Sequence, residues 1–351
     1  MVTLAALVVG KEALPDYAHR FSPKVYTQPQ LFACLVLMVF LRTDYRGIEP
    51  HLLDLPAYRD WLGLKRVPDH STLQKAAQRF FTAALSAQVL AVTINLMMGR
   101  GRMVRQAAAD STGMESGQAS PYFVRRRQRG QKPAKNPLFQ TTTYTRFPKL
   151  TLLVDCQRHL ILALLTGKGP KPDVQEIQPL LGRLPARVTL LKLLADAGFD
   201  SEANHRFLRE EHGIQSLIPP KRGRPPQGGQ PPGGRYRRRM QSRLRSKRQR
   251  RRSGYTQRTQ VETVISMIKR NLGHAVAAQT YAAQNRELRR LAIVHNILVL
   301  LLIVEVFDGA CQVHLIGLPF FKCTYPLLPS PFSFPELAAL QPSHHCAGSG
   351  R

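Results

Sequence analysis

Acidic residues are scarce in this 351-residue chain: 22 Asp and Glu stand against 51 Lys and Arg, for a formal net charge of +29. Cysteine is scarcer. Its five copies (Cys34, Cys156, Cys311, Cys323 and Cys346) are odd in number and show no CxxC spacing. That argues against a secreted disulfide framework and for a reducing cytoplasm. Long apolar runs are also missing. Residues 31–41 are too few to span a bilayer, and 291–307 carry His295, Asn296 and Glu305 beside Arg289 and Arg290, so both read as buried helices rather than membrane spans. The apolar N-terminus is broken by Lys11, Glu12 and Asp16, without the basic and apolar regions of a signal peptide. What remains is a basic chain suited to a polyanion, most simply nucleic acid, because each neutralised phosphate releases counterions. A ribosomal or membrane-surface protein is the alternative from charge alone.

The length allows two or three domains. Residues 1–100 read as mostly helical, with helices over 30–42, 48–55 and 58–63, the last holding the single tryptophan, Trp61. Pro68-Asp69-His70-Ser71-Thr72-Leu73 places capping residues before a helical pattern that runs to Phe81. A further helix covers 85–98. Short helices with tight turns fit a helix-turn-helix-like DNA-binding domain and equally a plain helical accessory domain.

From about residue 102 the period changes. Residues 104–109 read as a strand ending in Asp110, and 149–154 and 159–165 as a hairpin around Asp155-Cys156-Gln157-Arg158. Residues 174–184 have helical spacing. Residues 188–195 form a second buried strand ending in Asp196, followed by a helix over 202–211 and a short strand over 214–218. The succession predicts an α/β domain over 101–308, with a mixed sheet flanked by helices. Within it, 219–253 is a Pro/Gly/Arg-rich basic arm, expected to be a loop or disordered because its composition builds no packed core. Helices over 255–272 and from 279 or 283 to 307 close the domain. The tail, 309–351, is rich in Pro and Phe and expected to be poorly structured.

Two aspartates at the ends of buried strands stand where α/β sheets display functional side chains. If the strands pair in parallel, Asp110 and Asp196 are neighbours, and their repulsion calls for a cation. Mg²⁺ suits such a site, and two ions about 4 Å apart can activate an attacking oxygen and stabilise a leaving one. Taken singly, the aspartates are better explained as a turn residue, Asp110, and a helix cap, Asp196. A third acid, Glu262, lies on a later helix with Arg258 four residues before it and Lys269 seven after, near one face. By itself Arg258–Glu262 reads as a surface ion pair.

The spacing Tyr255, two residues, Arg258, three residues, Glu262, six residues, Lys269 resembles the signature of DDE-type bacterial insertion-sequence transposases. It fits the group around insertion sequences four and five. Ala109-Asp110-Ser111-Thr112 and Ala195-Asp196-Ala197-Gly198-Phe199-Asp200-Ser201 are similar to that group's two aspartate segments, and 68–73 to its N-terminal helical region. The resemblance covers roughly residues 30–305. It implies a ribonuclease-H-like core in which Asp110, Asp196 and Glu262 bind two Mg²⁺ ions, with Mn²⁺ as an alternative, and a 3′-hydroxyl attacks target DNA. Tyr255, Arg258 and Lys269 would contact phosphates at the transposon end. It further implies double-stranded DNA, both element ends and target, as partner, a homodimer on paired ends, and a place at the nucleoid in the cytoplasm, away from membranes. The interval between Asp196 and Glu262 leaves no room for the large β-rich insertion of some relatives, and their base-stabilising tryptophan has no counterpart.

Smaller signals complete the reading. Asp200 could replace Asp196 as ligand, but Asp196 directly ends its strand, whereas Asp200-Ser201 suits a helix cap. Arg222 and Arg224, in Arg-Gly-Arg-Pro, resemble a minor-groove hook. Arg237, Arg238 and Arg239 belong to the arginine-dense run 235–252 and are expected on DNA phosphates. Cys311, His314, Cys323, His344, His345 and Cys346 match no common zinc spacing. Two other functions remain open: a ribonuclease-H-like nuclease that cuts without joining, and a non-catalytic DNA-binding descendant. Intact acids disfavour the second.

Overall fold

The computed structural model describes residues 1–99, 103–116, 147–221 and 233–307. Arg222, Arg224 and the whole 309–351 tail lie outside the described residues, so the hook and the zinc reading are not addressed by it. Residues Met1–Leu302 form one compact unit.

The N-terminal layer contains helices α1 (Val2–Ala13), α2 (Gln28–Phe40), α3 (Ile48–Asp54), α4 (Pro56–Leu62), α5 (His70–Phe80) and α6 (Ala83–Met98). The first of these was not singled out in the sequence. Helix α2 is buried along nearly its whole length and carries no charge, as expected of the central helix in a layer. A capping box between Thr27 and Gln30 starts it. Helix α5 starts where the sequence puts it: the Asp69 carboxylate accepts from the Ser71 and Thr72 N–H groups, and Leu73, Ala76, Ala77 and Phe80 form its buried stripe. Among the described residues no single helix is long and apolar enough to cross a membrane.

The sheet comprises β2 (Ala107–Gly113), β4 (Phe147–Asp155), β5 (Ile161–Gly169), β7 (Lys192–Ala195) and β8 (Gln215–Leu217), ordered β5-β4-β2-β7-β8. Strands β2, β4 and β5 pair antiparallel; β7 and β8 run parallel to β2. This mixed order, with helices on its faces, is the ribonuclease-H-like arrangement expected. Among the described residues four two-residue strands lie outside it: β1 (Met103–Val104) pairs with β6 (Thr189–Leu190), and β3 (Glu115–Ser116) with β9 (Ala275–Val276). Helices α7 (Ile177–Leu181), α8 (Glu202–Arg206), α9 (Arg235–Arg243), α10 (Lys247–Ser253), α11 (Thr259–Asn271) and α12 (Tyr281–Phe307) are the remaining α-helices among the described residues.

Two expectations are corrected. The first strand does not end at Asp110: it breaks at Arg105 and Gln106, resumes at Ala107 and continues to Gly113, because residues Ser111–Gly113 keep pairing with β4 after β7 has ended. The arm is not wholly irregular. Residues 235–253 form two helices, because Met240 and Leu244, four apart, bury on one face and Ser246 and Gln249 form a capping box.

The polar residues that interrupt the last apolar run close the edge of the sheet. The Asn296 side-chain amide accepts from the Ile161 N–H and donates to the Ile161 carbonyl, both at 2.9 Å, and also donates to Thr93 Oγ1 at 3.0 Å. It supplies to edge strand β5 what a further strand would. Fully buried His295 reaches the His159 carbonyl at 3.0 Å, and burial lowers its pKa to about 4. It is therefore neutral in the fold and donates through Nε2. Replacing Asn296 with Leu should strand both Ile161 backbone groups and cost about 3 kcal/mol of stability, read from urea denaturation. A change within about 0.5 kcal/mol would show the edge to be satisfied otherwise.

Candidate active site

The three acids converge through register and one helix crossing. In the parallel pair β2–β7, Ala107, Ala108 and Ala109 lie opposite Leu193, Leu194 and Ala195. The next residue on each strand is an aspartate, so Asp110 and Asp196 emerge side by side. The alanines of β2 are fully buried, and helix α11 packs over β2 and β4. Its buried face is Val261, Val264 and Ile268, which turns Glu262, in its first turn, toward the strand ends.

Arg258 joins the acids. Its guanidinium lies 2.5 Å from Glu262 Oε1 and 3.9 Å from Asp110 Oδ2. Burial opposes its charge, but the bond to Glu262 and the nearby Tyr255 and Asp110 leave it more firmly protonated than a free arginine. Asp110 is pushed up to about 6, first by burial and then by the charges of Asp196 and Glu262, against the Ser111 N–H and Arg258. Asp196 accepts from the Gly198 N–H at 2.5 Å and caps the turn Ala197–Phe199. The Tyr255 hydroxyl donates to the Ala195 carbonyl at 3.2 Å, just behind Asp196. Its pKa is raised, chiefly by burial. Lys269 donates to the Gly113 carbonyl at 3.1 Å, at the far end of β2.

The donor set is all oxygen and suits a hard divalent cation in kind. As the side chains stand, no three His, Cys, Asp or Glu groups among the described residues are close enough together to hold one. Glu262 is turned to Arg258, which occupies a cation's place between Glu262 and Asp110. The acids suit such an ion in chemistry, while Glu262 is paired with Arg258 and does not share one point with the two aspartates.

Asp200, the rival for Asp196, is engaged elsewhere. It accepts from the Arg237 Nε and Nη2 atoms at 2.9 and 2.8 Å and from the Lys221 N–H at 2.8 Å, with His205 Nε2 at 3.7 Å. Burial works to raise its pKa, but these donors outweigh it and lower it. Ser201, not Asp200, caps α8. Glu202 accepts from the Tyr236 and Arg237 N–H groups at the start of α9. Gly234 is required there: its φ is +94° and a Cβ would collide with the Glu202 carboxylate. Arg237, expected on the DNA side, therefore turns inward as an anchor, while Arg238 and Arg239 are exposed. Sequence reading missed Ser111, Lys149, Asp173 and Glu176, which meet beside the acids; only the polar Ser-Thr pair after Asp110 hinted at them.

In the metal-free protein the Asp110 carboxyl should titrate near pH 6. Asp196→Asn should lower that midpoint by removing a negative neighbour, and Arg258→Gln should raise it. Carbon-13 NMR of labelled aspartates reads both shifts; a wild-type midpoint near the ordinary value of about 4 would contradict the burial described.

Residues 105–297, more than half of the chain, match the family model described as Transposase DDE domain. No characterised protein matches the chain in sequence.

Proposed function

Because the chain belongs to the transposase DDE domain family, we propose that it cleaves the ends of an insertion sequence, of the group around insertion sequences four and five, and joins the freed 3′-hydroxyls to target DNA. The observation that carries this reading is the parallel pairing of β2 and β7, which brings Asp110 beside Asp196 beneath the Glu262 helix. Asp110, Asp196 and Glu262 are the ligands for divalent ions, Mg²⁺ or Mn²⁺, which when bound supply an activated attacking oxygen and a stabilised leaving oxygen.

The chain's own groups do the rest. Arg258 balances the acids until DNA arrives, then offers its planar fork to a phosphate. Lys269, about three turns beyond Arg258 in the last turn of α11, holds a phosphate further from the cut. Tyr255 fixes the turn from β7 into Asp196 and borders the same phosphate track. Arg238 and Arg239, with the exposed cations of α10, bind duplex phosphates without reading sequence. The helical layer of residues 1–100 is left for recognition of the element's ends, beside a catalytic region over 101–308. Two copies act on paired ends at the nucleoid.

With Mg²⁺ and a duplex carrying an element end, the protein should nick at the end and, given a plasmid target, yield joined products. Asp110→Asn, Asp196→Asn and Glu262→Gln should each abolish both steps while metal-free DNA binding persists. Full activity in any one of them refutes the site, and cleavage without joined products would make the protein a nuclease instead.

The arm gives a separate test. Replacing Arg238 and Arg239 with Gln should lower the slope of log affinity against log salt by about 0.9 for each phosphate no longer neutralised, measured by fluorescence anisotropy on duplex DNA. An unchanged slope removes these arginines from the interface.

A further inference from the structure

Between Asp110 and Asp196 in the sequence lies an ionic cluster that none of these roles uses, with Lys149 and Glu176 buried and the Asp173 side chain 30% exposed. Lys149, on β4, is 5% exposed. Its ammonium donates to Asp173 Oδ1 at 2.6 Å and to the Lys171 carbonyl at 2.7 Å, and lies 3.2 Å from Glu176 Oε1. Glu176 also accepts from the Thr151 hydroxyl, and Thr151 is the cross-strand partner of Ser111.

Asp173 connects this cluster to both aspartates. Its Oδ1 accepts from Ser111 Oγ at 2.6 Å, on the residue that follows Asp110. Its Oδ2 faces the other side. A Cβ built on Gly198 would lie 3.1 Å from Asp173 Oδ2 and 2.8 Å from Asp196 Oδ1, so the two carboxylates share the space that this glycine leaves open. One side chain thus touches the strand of Asp110 and backs the carboxylate of Asp196.

A buried lysine with two acids is not explained by stability alone, since well-packed apolar groups serve a core as well or better. Such a cluster does fix directions. Like charges across Gly198 push the Asp196 carboxylate away from Asp173, and Lys149 keeps Asp173 from retreating. We infer that Asp173 is a positioning residue for the candidate active site, clamped by Lys149, which sets Asp110 through Ser111 and Asp196 across Gly198. The inference rests on the reading of Asp110 and Asp196 as ligands. It differs from that reading in what fails when it is wrong.

The test uses the full chain and Mn²⁺ alone as probe, with free Mn²⁺ followed by electron paramagnetic resonance. Partners that orient metal ligands typically change affinity 10–100-fold, so Asp173→Asn should weaken Mn²⁺ binding about 10-fold. Ser111→Ala, which leaves the Lys149–Asp173 pair intact, should weaken it several-fold, and Ser111→Thr should restore it. Circular dichroism and metal-free DNA affinity should stay at wild-type values. If Asp173→Asn does not fold, Ser111→Ala decides. Wild-type Mn²⁺ affinity in the folded variants, with binding lost in Asp110→Asn, would overturn the positioning role and leave the ligands standing. No Mn²⁺ binding by the wild type would bring down both.

Discussion

Three carboxylates at one end of a sheet repel one another, and much of the local structure answers to that repulsion. Parallel strands in register force Asp110 and Asp196 together, because the pair Ala109–Ala195 fixes where each chain goes next. Helix α11 then adds Glu262. Burial alone would push protons onto such a group, and Asp110 shows the effect. Arg258 bridges two of the acids, and Lys149 balances the adjoining pair Asp173 and Glu176. The site is thus an acid cluster held short of collapse by two cations from different elements.

The same economy of acids shapes the basic arm. With few carboxylates in the chain, two of them, Asp200 and Glu202, are committed to the start of α9. One binds the Arg237 side chain, the other the first free N–H groups of the helix, where negative charge is favoured. Among the described residues of the arm, the apolar side chains that bury beneath it are Met240 and Leu244. Anchored at one end and leading through Gly254 into Tyr255 at the other, its exposed arginines have a fixed origin beside the acids.

At the opposite flank, Asn296 and His295 show how a polar interruption can be structural. Both sit in the mostly apolar second half of α12, and both meet backbone groups near the start of β5. Leaving those groups without partners inside a core would cost more than placing two polar side chains there. The edge strand is thereby covered by a helix that needs no strand geometry of its own.

The candidate acids, their order and the helix that carries Tyr255, Arg258, Glu262 and Lys269 are legible in the sequence, because strand runs and helical spacing are local patterns. The sequence also shows the α5 start at Asp69, and its net charge points to a polyanion as partner. It did not reveal the helices of the arm, where arginine density masked the Met240–Leu244 spacing, nor the continuation of β2 past Asp110, which depends on pairing with β4. That Asp196 rather than Asp200 lies beside Asp110, that Arg237 turns inward, and that Lys149, Asp173 and Ser111 meet follow from long-range pairing. The contacts of Asp173 with Lys149 and Ser111 join residues 24 and 62 positions apart, and strand register, not any local period, sets which side chains then face each other.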